Sequence, residues 1–264
     1  MKARIQHIVQ NFSRFEHNGL LLAAAILTLV VAGSWYKKEM KVRKIKLHIT
    51  NTTPKQRLIT KQDITRILLK VQQGDVKNLR VKDVDFKGLE SSLEDYPSIQ
   101  DAEVFLDMTN VLHIDIRQRI PIARIVDNNG IQYYMDAQGY RVSLSSHCSY
   151  RVPVVTGVIP SNAALEGEKL ESPVFEQLRK LLLAIHNDKM LNALVEQVYV
   201  DAHDQVTLIP KAGYKRIFFG HVKDIPAKLD KLKKFYKKGD WGKYEMINLE
   251  YENLVFAKKH IKTT

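Results

Sequence analysis

Ser34-Trp-Tyr-Lys37 has the S-x-x-K spacing that places a lysine amine one helical turn from a serine hydroxyl, the geometry of a base acting on a nucleophile. That chemistry needs a pocket around the pair. Here the pair sits at the end of an apolar run, with no K-T-G or S-D-N stretch to accompany it. The nine histidines form no H-E-x-x-H or comparable metal-ligating spacing. His203 and Asp204 are neighbours on a predicted turn and read as a solvated loop. Cys148 lies in a Ser-rich loop with no base beside it, and Glu166 and Glu168 flank Gly167 in another turn. There is no G-x-S-x-G, P-loop or G-x-G-x-x-G. The sequence therefore predicts no catalytic residues, no metal site, no cofactor and no small-molecule substrate: the chain reads as a non-enzyme.

A chain without catalytic residues works through its surfaces and its placement. Gly19 to Tyr36 carries no charge. It is slightly short of the ~20 residues that cross a bilayer core, but Trp35 and Tyr36 suit the interface and Lys37 can snorkel. The preceding 18 residues are long for a signal-peptide n-region, so an uncleaved anchor is expected. Flanking charge leaves its orientation open. Three Lys or Arg precede the segment and six follow it within ten residues, yet long following domains translocate largely regardless of charge.

The formal net charge is +12. Basic residues cluster after the apolar run (Lys37 to Lys46) and late in the chain (Lys228 to Lys238), without a nucleic-acid-binding motif. The first cluster fits attraction to anionic headgroups, and nucleic acid is not an expected partner. The single cysteine excludes an internal disulfide, so the soluble part relies on its core.

Periodicity supplies the elements. Lys44 to Thr50 alternates as a half-buried strand. Thr60-Lys-Gln-Asp63 has capping-box form and opens an amphipathic helix ending by Gly74. A short helix follows from Phe86 to about Asp95, then strands at Ile99–Leu106 and Val111–Arg119. Two helices on one face of a three-stranded sheet bury a core, and β-α-α-β-β is the order of a POTRA domain. From Ile122 the texture is β-rich, with an Asn129-Gly130 hairpin, a helix capped by Ser172-Pro173 and a basic helix from Ile225 to Lys237. The last strands are expected at Glu245–Tyr251 and Leu254–Ala257. The fold class is α+β: one transmembrane helix, a POTRA-like domain, and a C-terminal β-domain with flanking helices.

The chain as a whole resembles the FtsQ/DivIB family of bacterial division proteins. Pro97-Ser-Ile99 with Ala102-Glu-Val104, and Asn110-Val-Leu112-His-Ile114, resemble its paired POTRA strands. Arg119-Ile-Pro121-Ile-Ala123, Tyr134-Met-Asp136-Ala-Gln-Gly139 and Pro153-Val-Val-Thr-Gly157 resemble motifs of its β-domain. Two places depart from the pattern. Asn51-Thr52 stands where many members have Gly, and Asn248 and Glu250 replace the Asp and Arg of I-D-L-R-Y. The resemblance implies a cytoplasmic tail (1–18), a membrane helix (19–36), and a periplasmic POTRA-like domain (42–119) and β-domain (120–260), held at the inner membrane of the division site. It implies a scaffold of the division complex, or divisome, that acts in septation and binds FtsB-like and FtsL-like coiled-coil proteins. A terminal strand can accept a partner strand by β-augmentation, which makes Tyr244, Tyr251, Leu254, Val255 and Phe256 the expected partner-binding residues. Two other readings are a POTRA-bearing protein of envelope assembly or transport, which would continue into a many-stranded barrel, and an anchored envelope enzyme, which would need a deep polar pocket.

Overall fold

Thr60 and Asp63 form the reciprocal cap expected of them. The Asp63 N–H donates to Thr60 Oγ1 at 3.2 Å, and the Thr60 N–H donates to Asp63 Oδ2 at 3.0 Å. The computed structural model describes residues 22–31, 40–72, 79–161, 164–211, 215–238, 243–251 and 254–259. The helices are α1 (22–31), α2 (Lys61–Val71), α3 (Phe86–Glu94), α4 (Pro173–Asn187), α5 (Lys189–Leu194) and α6 (Ile225–Lys237). The strands are β1 (Lys44–Thr50), β2 (Ile99–Leu106), β3 (Val111–Gln118), β4 (Pro121–Val126), β5 (Gln132–Asp136) and β6 (Arg141–Val142). They continue with β7 (Val154–Gly157), β8 (Val195–Val200), β9 (Val206–Pro210), β10 (Arg216–Gly220), β11 (Tyr244–Asn248) and β12 (Phe256–Lys259).

Along α1 every described side chain is exposed. Among the described residues no helix is long and apolar enough to cross a membrane. The ends of the expected span Gly19 to Tyr36, and the Ser34–Lys37 pair with them, lie outside the described residues.

Strands β1, β3 and β2 form a three-stranded sheet in that order. The described residues group into two compact units whose division runs through these strands. One unit takes in residues up to His48 with Thr65–Glu90 and Glu103–Ile114; the other takes in Ile49–Ile64, Ser91–Ala102 and everything from Asp115 on. In the first unit Val42, Leu68, Val84, Leu89, Val104, Leu112 and Ile114 are buried. Asp107 closes its hairpin by accepting from the Thr109 and Val111 N–H groups at 2.8 and 3.0 Å, and its other oxygen lies 3.0 Å from His113 Nε2. The Glu90 carboxylate accepts from the Val104 N–H at 2.9 Å. That occupies a donor of β2, which is an edge strand.

The second unit is built on a nine-stranded sheet of order β12-β11-β10-β9-β8-β7-β4-β5-β6. Pairing is parallel for β4 with β7, β7 with β8, and β10 with β11, and antiparallel elsewhere. Each parallel pair needs a long connection, and α6 supplies the one from β10 to β11. Ser172 Oγ accepts from the Phe175 N–H to cap α4, and the Asp188 carboxylate caps α5 through the Met190 and Leu191 N–H groups. Phe175, Leu178, Leu181, Leu182 and Ile185 of α4, with Leu229 and Leu232 of α6, pack in one core with Ile125, Val155, Val198, Leu208, Ile217 and Ile247 of the sheet. A smaller cluster of Leu58, Tyr134 and Val142 gathers beside it. There the fully buried Gln118 accepts from the Leu58 N–H at 2.8 Å and donates to Gln56 O and the Tyr150 hydroxyl at 3.1 and 2.9 Å.

Gly157 pairs with Val200 at φ +106°, and a Cβ there would overlap the Val200 carbonyl. Only glycine holds that φ without strain. Gly157→Ala is expected to cost at least about 2 kcal/mol, read as a lowered midpoint of denaturant unfolding. An unchanged midpoint would mean that the β7–β8 pair yields freely.

Candidate functional site

Among the described residues the sheet ends on β12, which pairs with β11 on one side and has no strand on the other. A strand in that position leaves backbone N–H and C=O groups along its outer edge. Side chains alternate along this segment. Leu254 and Phe256 are exposed at 58% and 53%, while the half-buried Val255 packs against the core. Tyr251, also 53% exposed, sets its ring edge-on to Phe256 with centroids 4.8 Å apart. Tyr244 is half-buried, its ring 5.4 Å from that of Phe235 on α6. The five expected binding residues thus fall into two groups. Tyr251, Leu254 and Phe256 share exposed apolar character at the sheet edge, and Tyr244 and Val255 support them from inside. The expected strand boundaries shift. β11 stops at Asn248 and β12 begins at Phe256, so Tyr251 stands in a bend and Leu254 and Val255 precede the strand.

The bend after β11 has its own supports, which sequence reading missed. Asn248 Oδ1 accepts from the Glu250 N–H at 2.8 Å, and the Leu249 N–H donates to Phe218 O at 2.9 Å. Lys231 of α6 donates to the Leu249 and Tyr251 carbonyls at 3.0 and 2.6 Å. Lys228, one turn earlier, is buried and donates to Phe219 O and His221 O at 2.9 and 2.8 Å. Burial pushes the Lys228 ammonium below the usual lysine range, and the Glu250 carboxylate acts in the opposite direction. Lys233 pairs with Asp188 at 3.0 Å and Lys234 with Asp230 at 2.7 Å. Much of the lysine run of α6 is thereby spent on carbonyls and carboxylates of the protein itself. The signal available in the sequence was the i, i+3 spacing of Lys228 and Lys231 on one side of the helix.

The departures from the family pattern fit their surroundings. Asn51 sits at φ +61°, a left-handed conformation that Gly adopts readily and Asn tolerates. Asn248 closes the bend with its side-chain oxygen, as an Asp would. Glu250 lies over Gly220, where a Cβ would meet its carboxylate at 3.1 Å.

The other chemistry-bearing residues stay apart. The Cys148 thiol is half-buried and burial raises its pKa, which disfavours the nucleophilic thiolate. His203 is exposed on a turn, its N–H donating to Asp201 Oδ1 at 2.8 Å. Glu166 and Glu168 are exposed. Among the described residues no three His, Cys, Asp or Glu side chains gather as a metal site would require.

Two family models match the chain. A POTRA-like domain covers residues 40–117, and a domain described as FtsQ/DivIB, C-terminal related, covers residues 120–258. Together they define a mixed α+β protein with a POTRA-like domain followed by a β-rich one. The chain belongs to the FtsQ/DivIB family, which ties it to bacterial cell division. No curated protein matches it.

Proposed function

We propose that the chain is a non-enzymatic, membrane-anchored scaffold of the division complex. The apolar run 19–36 holds it to the inner membrane with residues 1–18 in the cytoplasm. The POTRA-like domain (42–119) and β-domain (120–260) stand in the periplasm at the division site. Its partners are FtsB-like and FtsL-like coiled-coil proteins, one of which adds a strand to β12. The observation that carries this reading is the outer edge of β12, beside exposed Tyr251, Leu254 and Phe256. Backbone hydrogen bonds along such an edge give affinity, and the aromatic side chains beside it give specificity. Two measurements test it: copurification of the full chain from membranes with small coiled-coil proteins, and depletion of the chain in growing cells. Filaments without septa are the expected phenotype, and normal septation after depletion overturns the proposal.

A further inference from the structure

Met108 is the most exposed large apolar side chain among the described residues, at 91%. It stands at the tip of the β2–β3 turn, and the turn is stiff. Asp107 Oδ1 accepts from the Thr109 hydroxyl at 2.7 Å as well as from the Thr109 and Val111 N–H groups, and Oδ2 faces His113. Asn110 turns the chain back at φ +61°. The turn is tied to the first residues of the POTRA-like domain. The Asn110 side-chain amide donates to Met40 Sδ at 3.1 Å. The Arg43 N–H donates to Asn110 O at 2.9 Å, and the Val81 N–H donates to Met40 O at 2.8 Å. Met40 follows Tyr36, the last residue of the apolar run, by four positions. Four residues span at most about 14 Å. Met108 is therefore held at the end of the domain that joins the run.

Given the proposed anchor at 19–36, on which the inference rests, we infer that this turn seats on the surface of the anchoring bilayer. Met108 enters the boundary between headgroups and acyl chains, and Lys41 and Arg43 meet anionic lipid phosphates. Both cations are exposed and have no acidic partner among the described residues. The acids nearby are engaged. Asp83 pairs at 2.7 Å with Arg80, which bridges to Lys41 through the backbone, and Asp107 lies 3.0 Å from His113. This end thus offers cations to an anionic surface, which attracts them within a Debye length. One apolar side chain among cations suits lipid better than protein. A protein interface gathers several apolar anchors in a dry centre. A fluid membrane interface accepts apolar groups to a depth of about 5–10 Å, and it needs no preformed pocket. The contact forms even when weak, because the anchor keeps lipid at high effective concentration.

The test reconstitutes the full, unaltered chain in vesicles of phosphatidylglycerol and phosphatidylcholine that carry a photoactivatable diazirine high in one acyl chain. After irradiation, lipid adducts are mapped by mass spectrometry. Adducts are expected in the apolar run and at 107–110. Exposed Glu103, four residues or about 13 Å from Asp107 along β2, should stay unlabelled. Met108→Asp, and separately Lys41→Glu with Arg43→Glu, should lower the yield at 107–110 at least about fivefold, the worth of one basic residue near an anionic surface. The run should remain labelled and the unfolding midpoint unchanged. Adducts in the run with none at 107–110 overturn the inference and leave the anchor standing, and adducts in neither overturn both. Equal labelling of Glu103 also overturns it, as does undiminished labelling after both sets of substitutions, because the contact would be random. Loss of a copurifying protein on Met108→Asp, with no lipid adduct at the turn, overturns it in favour of a protein contact.

Discussion

Replacing Asp136 by alanine is expected to destabilise the protein by about 3–5 kcal/mol, the cost of stranding one member of a buried ion pair. Asp136 is completely buried, and Arg119 is 8% exposed. Arg119 Nη1 donates to Asp136 Oδ2 at 2.9 Å, and the guanidinium lies 4.0 Å from the centre of the Tyr140 ring. The second carboxylate oxygen accepts from the Gln138 and Tyr140 N–H groups at 3.0 and 2.8 Å, closing the β5–β6 turn. The Arg119 N–H donates to Ser98 O at 2.9 Å. Removing the carboxylate leaves a desolvated cation and two turn donors without their acceptor, and each loss costs more than the bond was worth. With a urea m-value of about 2–3 kcal/mol/M, the unfolding midpoint should fall by roughly 1–2 M. Asp136→Asn keeps an oxygen for the turn and loses only the charge, so its loss should be smaller. A loss below about 1 kcal/mol for Asp136→Ala would show that water reaches Arg119 and that the pair is not the lock the geometry describes.

The same two residues show what could be read in advance. Arg119 and Asp136 stand out in the sequence as parts of short motifs, and their types suggest a structural charge pair only once the fold sets them together. Local signals translate well. The Thr60–Asp63 cap, the Ser172-Pro173 start and the Ile225–Lys237 helix appear where spacing places them, because each depends on neighbours within one turn. The elements missed are α5, at six residues, and β6, at two. Elements that short carry no full period of hydrophobic alternation. Long-range order is the other blind spot. Nothing local tells β10 to pair in parallel with β11 across α6, and that pairing turns the last two strands into one end of a nine-stranded sheet. The expected strand ends slipped for a related reason. Tyr251 and Leu254 have strand-like character, yet Lys231 of α6 holds the Leu249 and Tyr251 carbonyls in a bend.

Replacing Phe256 by aspartate is expected to remove partner binding while leaving the fold intact. Proline or a charge at Val255 is a poorer probe, because Val255 is half-buried against the core and its loss would mix folding with recognition. Phe256 starts the edge strand and is 53% exposed, its ring packed only against that of Tyr251 among the ring contacts of the described residues. Surface changes of this kind usually alter stability by less than about 0.5 kcal/mol. Recognition is another matter. The Tyr251 and Phe256 rings meet edge-on at 4.8 Å, and Leu254 is exposed close by in the chain. Aromatic anchors at an interface commonly cost about 2 kcal/mol or more when removed. A charge placed against a partner strand adds a desolvation penalty, so a fall of at least about thirtyfold in affinity is expected. The measurement is capture of the coiled-coil partner on the immobilised full chain, beside an unfolding curve of the same preparation. Tyr251→Ala should lower affinity in the same direction and by less, since it removes one ring without adding a charge. Wild-type capture by the Phe256→Asp chain with an unchanged unfolding midpoint would move the binding surface away from β12.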